Sequence, residues 1–252
     1  MSSSASSSSS SSSSLEPTLY TLLPSALHQP FLIHLSLYAI HNEPLEIFDR
    51  VYTTSNPIVP GQLRNLRLRS RLRPSPKIKG KEKENHVNQW IHSHSLSYIS
   101  NPLRSQEYSG TSTRAVIGLD ILSEEDEWEI KDFISSLGFD HSHSYTQRGH
   151  LFHMALPTNQ LTLQLSITHL TPLEDDSTFP TKTMHDSVGT DFQNGKATQK
   201  DDRPWLIQLY PSKPVSAVSN PGELNYSSLV ELMQDFVENL GFAGLKWGTG
   251  GR

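Results

Sequence analysis

Three groups of residues have the types and spacing to do chemistry. The first is Glu125-Asp126-Glu127-Trp128-Glu129, with glutamate at every second position. On a strand that spacing puts three carboxylates on one face, where they would hold Mg2+ or Mn2+ through oxygen. The second comprises two His-x-His pairs, His92-Ser93-His94 and His141-Ser142-His143, with His150 and His153 close behind. Two imidazoles on one strand face hold zinc or iron when further ligands converge on them. The third is the stretch Arg64–Lys83, which carries nine of the 21 basic residues and is opposed only by Glu82. Within it Arg67, Arg69, Arg71 and Arg73 alternate with Leu66, Leu68, Ser70 and Leu72. That alternation makes a positive strand face that would attract phosphates or an acidic partner.

The elements that must position these residues decide among the chemistries. Ser123 reads as a helix N-cap with Asp126 three residues on, a short-acid form of the capping box. Glu124 to Glu127 then lie where the helix dipole favours negative charge. On a helix, positions i, i+2 and i+4 do not share a face, so no metal role is assigned to these acids. The histidine pairs lack a convergent third and fourth ligand and read as lumen or surface histidines. No P-loop, dinucleotide glycine fingerprint or nucleophile elbow is present. The residues therefore supply no catalytic, cofactor-binding or metal assignment, and no cofactor is expected. Arg67, Arg69, Arg71 and Arg73 are the candidate partner-binding residues, for an acidic segment.

Composition narrows the classes further. The net charge of −5 argues against a globally basic nucleic-acid binder, and no sequence-specific nucleic-acid binding is expected. The basic stretch also lacks the interleaved aromatics of a single-strand binder. Cysteine is absent, which excludes disulfides, thiolate catalysis and cysteine-ligated metal. The start of the chain lacks the pattern of a secretory signal, and Phe31–Ile40 is too short to span a bilayer. The expectation is a soluble protein with no membrane partner.

Along the chain, Met1–Ser14 holds twelve serines and is expected to be a disordered tail. Strands are expected over Leu15–Leu27, Leu45–Thr54, Gln62–Arg73, Gln89–Ser100 and Thr113–Leu122. Further strands are expected over Phe139–Thr146, His150–Ala155 beyond a turn at Arg148-Gly149, Leu161–Leu170 and Pro204–Pro214, with a short tail strand at Ala243–Trp247. Pro30 is placed at N1 of a helix reaching His41. A second helix runs from Ser123 to a C′ glycine at Gly138, and a third from Ser228, with Glu231 completing a capping box, to Gly241. Pro74–Asn88 and Thr171–Arg203 read as flexible insertions, and residues 248–252 as a flexible end. Asp132–Phe139 echoes Asp235–Phe242, either from shared cap chemistry or from an old duplication. Nine or ten mostly adjacent strands predict a mainly β (α+β) fold, an antiparallel β-barrel with three flanking helices, as one domain over 15–247.

The order of these elements resembles the Mediator complex subunit 18 family. The residues that carry the likeness are Leu66-Arg67-Leu68-Arg69-Ser70-Arg71, Trp90 to Tyr98, Phe133–Phe139 and Tyr145-Thr146-Gln147-Arg148-Gly149-His150-Leu151-Phe152. The resemblance implies a barrel related to the triphosphate tunnel enzymes but without their catalytic carboxylates. It implies a nuclear, non-catalytic head-module subunit linking transcription regulators to RNA polymerase II. It also implies pairing with Mediator subunit 20 and receipt of a C-terminal helix of subunit 8. Two enzyme readings stand beside it. One is a metal-dependent triphosphate-tunnel phosphohydrolase using lumen arginines, and the other a His-x-His metal-dependent barrel enzyme.

Overall fold

The computed structural model describes residues 14–54, 64–74, 90–103, 111–121, 127–156, 161–173, 203–216 and 224–248, with backbone alone at 72–74, 90–93, 119–120 and 127–128. The polyserine stretch, the connector from 75 to 89, the polar stretch from 174 to 202 and the final glycines lie outside it.

Strand β1 (Ser14–Leu23) leads through a 3-10 turn, Ser25–Leu27, into α1 (His28–Ser36). The helix thus starts before Pro30, which sits in its first turn, where a missing N–H costs no helical bond. It also ends five residues short of His41. A two-residue turn follows, and β2 runs from Ala39 to Thr54. Pro44, expected to precede this strand, lies inside it. The partner strand β3 (Asn65–Pro74) pairs with β2 only at residues 47–53, so position 44 is an edge on that side and needs no donor there. Strands β4 (Trp90–Ile99) and β5 (Ser112–Ile121) complete the first run.

Helix α2 (Glu127–Ser136) is followed by β6 (Phe139–Met154), β7 (Leu163–Leu173), β8 (Trp205–Pro211) and the two-residue β9 (Val215–Ser216). The expected turn at Arg148-Gly149 is absent: β6 is one strand of 16 residues. Gly149 is needed for close approach rather than turning. A Cβ there would run into the carbonyl oxygen of Ile167, with the Cα of Thr168 at 3.0 Å. Thr171–Leu173, expected in an insertion, extends β7 instead.

Helix α3 (Tyr226–Leu240) is capped by Asn225, whose side chain accepts from the Ser228 N–H at 2.8 Å. Ser228 is therefore inside the helix rather than at its cap. The earlier start buries Tyr226, whose hydroxyl lies 2.6 Å from Thr113 Oγ1 and 2.9 Å from Thr111 Oγ1, tying α3 to β5. Ala243–Trp247 forms no strand; the tail makes a single bridge, Gly248 to Tyr20.

The sheet order is β5-β4-β3-β2-β6-β7-β8-β1, with β9 outside β1, and a β1–β5 pairing closes eight antiparallel strands into a barrel. The larger apolar cluster lies between α1, α3 and the outer faces of β1, β7, β8 and the end of β6. A smaller one, with Leu66, Leu68, Leu96 and Tyr52, lies under Ile130 and Ile134 of α2.

The barrel has an internal two-fold. β1-α1-β2-β3-β4 and β5-α2-β6-β7-β8 repeat the same order, with ten residues in β1 and β5 and 16 in β2 and β6. The registers are self-reciprocal: Ser14 pairs with Val116 while Thr18 pairs with Ser112, and Ala39 pairs with Met154 while Thr54 pairs with Phe139. The echo between 132–139 and 235–242 does not follow this repeat, because α3 lies outside both halves. What those stretches share is a glycine of positive φ, 79° at Gly138 and 57° at Gly241.

Candidate functional site: the barrel interior

Residues directly opposite each other in an antiparallel sheet share a face. Arg67, Arg69 and Arg71 stand opposite Val51, Asp49 and Ile47, and Asp49 in turn stands opposite Tyr145. The alternate face of β3, with Leu66 and Leu68, is the one that packs against α2. The arginine face is therefore the inside of the barrel.

Asp49, completely buried, is the centre of that interior. Arg69 donates to it in a two-pronged pair, Nε to Oδ1 at 2.8 Å and NH2 to Oδ2 at 2.7 Å, and Gln147 donates at 3.2 Å. Burial disfavours the carboxylate, but Arg69, Arg67 and a hydrogen bond from Tyr145 outweigh that and hold Asp49 below its ordinary range. Burial also opposes the charge on Arg69, yet Asp49 raises its basicity overall. The Arg69 side chain keeps 27% of its surface accessible against none for Asp49. Tyr145 and Tyr210 border the pair and are pushed up, first by burial.

A second interior group lies further along the barrel. Arg71 reaches Glu43 at 2.6 Å, and Nε2 of His153 lies 3.1 Å from the same oxygen. Burial opposes ionisation of Glu43, but His153 and Arg71 hold its pKa down. Arg67 Nε is buried without a hydrogen bond, and burial, then Arg69, lower its pKa against the opposing pull of Asp49, Tyr145 and Glu16. Leu45, Ile47 and Leu151 form a small apolar cluster with Tyr210 packed against it.

The sequence-derived candidates are thus redistributed. Arg67, Arg69 and Arg71 line the interior instead of forming a solvated steering face, because the apolar face of β3 is taken by α2. Arg73 is described only as backbone, opposite Ile91. Glu127 and Glu129 are in α2, so the second half of the Glu-x-Glu-x-Glu run is helical; Glu125 lies outside the described residues. His92 is described only as backbone. His94 Nδ1 contacts Ser70 at 2.8 Å, His141 Nε2 contacts Ser144 at 2.8 Å, and His143 Nδ1 contacts Ser142 at 3.1 Å. Among the described residues no group of three His, Asp or Glu is placed to hold a metal ion.

One cluster escaped sequence reasoning. His28, at the start of α1, stacks on Trp205 at 3.8 Å, and His169 lies 3.6 Å from the same indole; His150 is 6.2 Å from His28. Burial, with smaller contributions from His150 and His169, lowers the His28 pKa to about 4. These four residues come from four separate elements, so no spacing in the chain announces them.

No known family model matches the sequence, and a search of curated proteins finds no match. Solved structures do match in fold. A chain of the Schizosaccharomyces pombe Mediator head module superposes with a TM-score of 0.55 at 16% identity, covering 93% of this chain and 98% of that one. A protein from Pyrococcus horikoshii gives 0.49 at 12% identity, covering 92% and 93%. A putative adenylyl cyclase from Hippeastrum with a dominant triphosphatase activity gives 0.43 at 12% identity, covering 95% and 91%. At these identities the likeness is one of fold.

Proposed function

We propose that this chain is a non-catalytic subunit of the Mediator coactivator, acting in its head module as a scaffold between transcription regulators and RNA polymerase II. The observation that carries the reading is the match of fold along nearly the whole of both chains to a component of a Mediator head module. The ordered motifs from Leu66-Arg67-Leu68-Arg69 through Tyr145-Thr146-Gln147-Arg148 support it from the sequence. On this reading the protein is nuclear, pairs with Mediator subunit 20 and receives the C-terminal helix of subunit 8.

The pairing of Asp49 and Glu43 supports the non-catalytic part. A metal-dependent hydrolase of triphosphates needs carboxylates free to hold metal and arginines free to meet phosphate. Here Asp49 is committed to Arg69 and Gln147, and Glu43 to Arg71 and His153. The pairs hold the barrel together from inside. Affinity purification of the tagged full chain from its own cells, with identification of what co-elutes, tests the proposal. Head-module subunits in near-equal amounts are expected; their absence would overturn it.

A further inference from the structure

The composition of the tail leaves a cavity at the end of the barrel where β1 has run past β5. There Leu22 stands opposite Leu206, and Tyr20 opposite Gln208, on the face of β1 and β8 that turns away from the larger apolar cluster. Leu22 keeps 59% of its surface, whereas its neighbour Leu23, on the outer face, is completely buried. The tail runs alongside, with Tyr20 and Gly248 exchanging backbone hydrogen bonds at 3.2 and 3.0 Å. Leu245 and Trp247 pack against the larger cluster. Gly244, Lys246 and Gly248, at the alternate positions, instead border a cavity of about 540 Å³ together with Tyr20, Leu22 and Leu206. A Cβ at Gly248 would meet nothing within 4 Å, so the missing side chain leaves the room open. A volume of this size is usual for small-molecule sites, which run from about 300 to 1,000 Å³. Among the described residues of the lining, Lys246 alone is ionisable apart from the Tyr20 hydroxyl, and no described carboxylate pairs with it.

We propose that this cavity binds a small amphipathic carboxylate, an apolar body of medium-chain or aromatic-ring size with one acidic group. Leu22, Leu206 and the ring of Tyr20 take the apolar body out of water. The Lys246 ammonium donates to the carboxylate at the exposed rim, where the acid keeps part of its hydration and burial does not penalise its charge. A purely apolar ligand would leave the ammonium unused, and a free inorganic anion would leave both leucines unused. Residues 249–252, Thr-Gly-Gly-Arg, carry neither an apolar side chain for the cavity nor an acidic one for Lys246. The site is independent of the scaffold reading, since every group it uses belongs to this chain.

Titration of the full chain with decanoate and with naphthoate, followed through amide chemical shifts, tests the proposal. At least one acid should saturate with a Kd below about 1 mM, moving the amides of Leu22, Leu206, Lys246 and Gly248. The tighter of the two tells a chain-shaped body from a planar one. Lys246→Gln should bind that acid about tenfold more weakly, through loss of one charge-assisted hydrogen bond. Leu22→Glu sets a like charge beside the carboxylate at an exposed position. It should unfold at the parent's temperature and bind neither acid. Leu37→Glu, at an exposed apolar position on the turn after α1, should bind as the parent does. The absence of saturable shifts with both acids would overturn the proposal, and so would shifts centred elsewhere on the barrel. Undiminished affinity in Lys246→Gln, or equal affinity of the parent for neutral naphthamide and for naphthoate, would overturn it as well.

Discussion

Asp49 and Arg69 are the residues on which the interior turns. Removing one member of a buried pair leaves a charge without compensation, a cost of about 3–5 kcal/mol. Arg69→Leu should therefore lower stability by roughly that amount at neutral pH, read from the denaturant midpoint. Arg69→Glu combined with Arg71→Glu should be worse, because it sets like charges beside Asp49 and Glu43 inside the barrel. An unchanged midpoint for either variant would place the arginines outside. The pH dependence has a definite sign. The pKa of Asp49 is depressed by folding, so its contribution is present above the ordinary carboxylate pKa and disappears as pH falls through the folded value. Asp49→Asn should flatten that acid limb. His28 acts at milder pH. Its folded pKa of about 4 lies below the ordinary value of 6.5, so the unfolded chain binds the proton first and stability falls as pH drops from 6.5 towards 4. The ring is partly solvated, so the effect is discounted to about 1 kcal/mol, which is roughly 2–4 °C in a chain of this size. His28→Phe, which keeps a ring over Trp205, should reduce that slope in thermal melts taken between pH 7 and 5, leaving the part supplied by His150, whose pKa burial also lowers.

At the scale of elements, two glycines that the chain presents in the same way behave differently. Gly138 ends α2 with φ 79° and has open space where a Cβ would go. Gly138→Val should cost roughly 1–3 kcal/mol, from backbone strain alone. Gly149 lies in mid-strand, where a Cβ meets the backbone of β7. Gly149→Ala should cost more than Gly138→Val despite adding fewer atoms, because the obstacle is main chain that cannot rotate away. Unfolding midpoints of the two variants side by side check the order, and a milder Gly149→Ala would mean β6 and β7 cross less closely than described. Arg148-Gly149 had the residues of a turn, and only the packing of β7 against it identifies the glycine as a contact site. The α2 stripe was half legible from 3.6-residue periodicity: Ile130 and Ile134 are buried, whereas Phe133 and Leu137, which the same spacing includes, are 53% and 52% exposed. The cap of α3 was only half legible, because Asn225 and Ser228 are both good N-caps and burial of Tyr226 decides between them.

For the whole molecule the expectation concerns activity. The purified chain should release no phosphate from nucleoside triphosphates above buffer, with or without manganese. Asp49 and Glu43 are held by Arg69, Arg71 and His153. Manganese-dependent release that disappears in a folded Glu43→Gln variant would replace the scaffold reading by a hydrolytic one. The two-fold also belongs to this scale. It is plain in strand lengths and reciprocal registers yet almost invisible in the residues. The equivalents Leu19 and Ile117 are both apolar, but one is covered by α3 and the other is not.

Local patterns were enough to determine that β3 has one apolar and one basic face, that α2 and α3 end on glycine, and that short connections favour an antiparallel barrel. Alternation specifies two faces but not which of them is inside. A lone strand with leucines opposite arginines suggests a core of leucine and a rim of arginine, and that is how the sequence reads. Closure of the barrel reverses it. An eight-stranded barrel encloses a space only wide enough for side chains, whereas the helices outside offer a broader apolar surface. Leu66 and Leu68 are therefore buried outward against α2, and the arginines turn inward. There Arg69 and Arg71 are met by Asp49 and Glu43 of β2. Those carboxylates lie 20 and 28 residues from their partners in the chain, and no periodicity relates positions that only strand pairing makes neighbours.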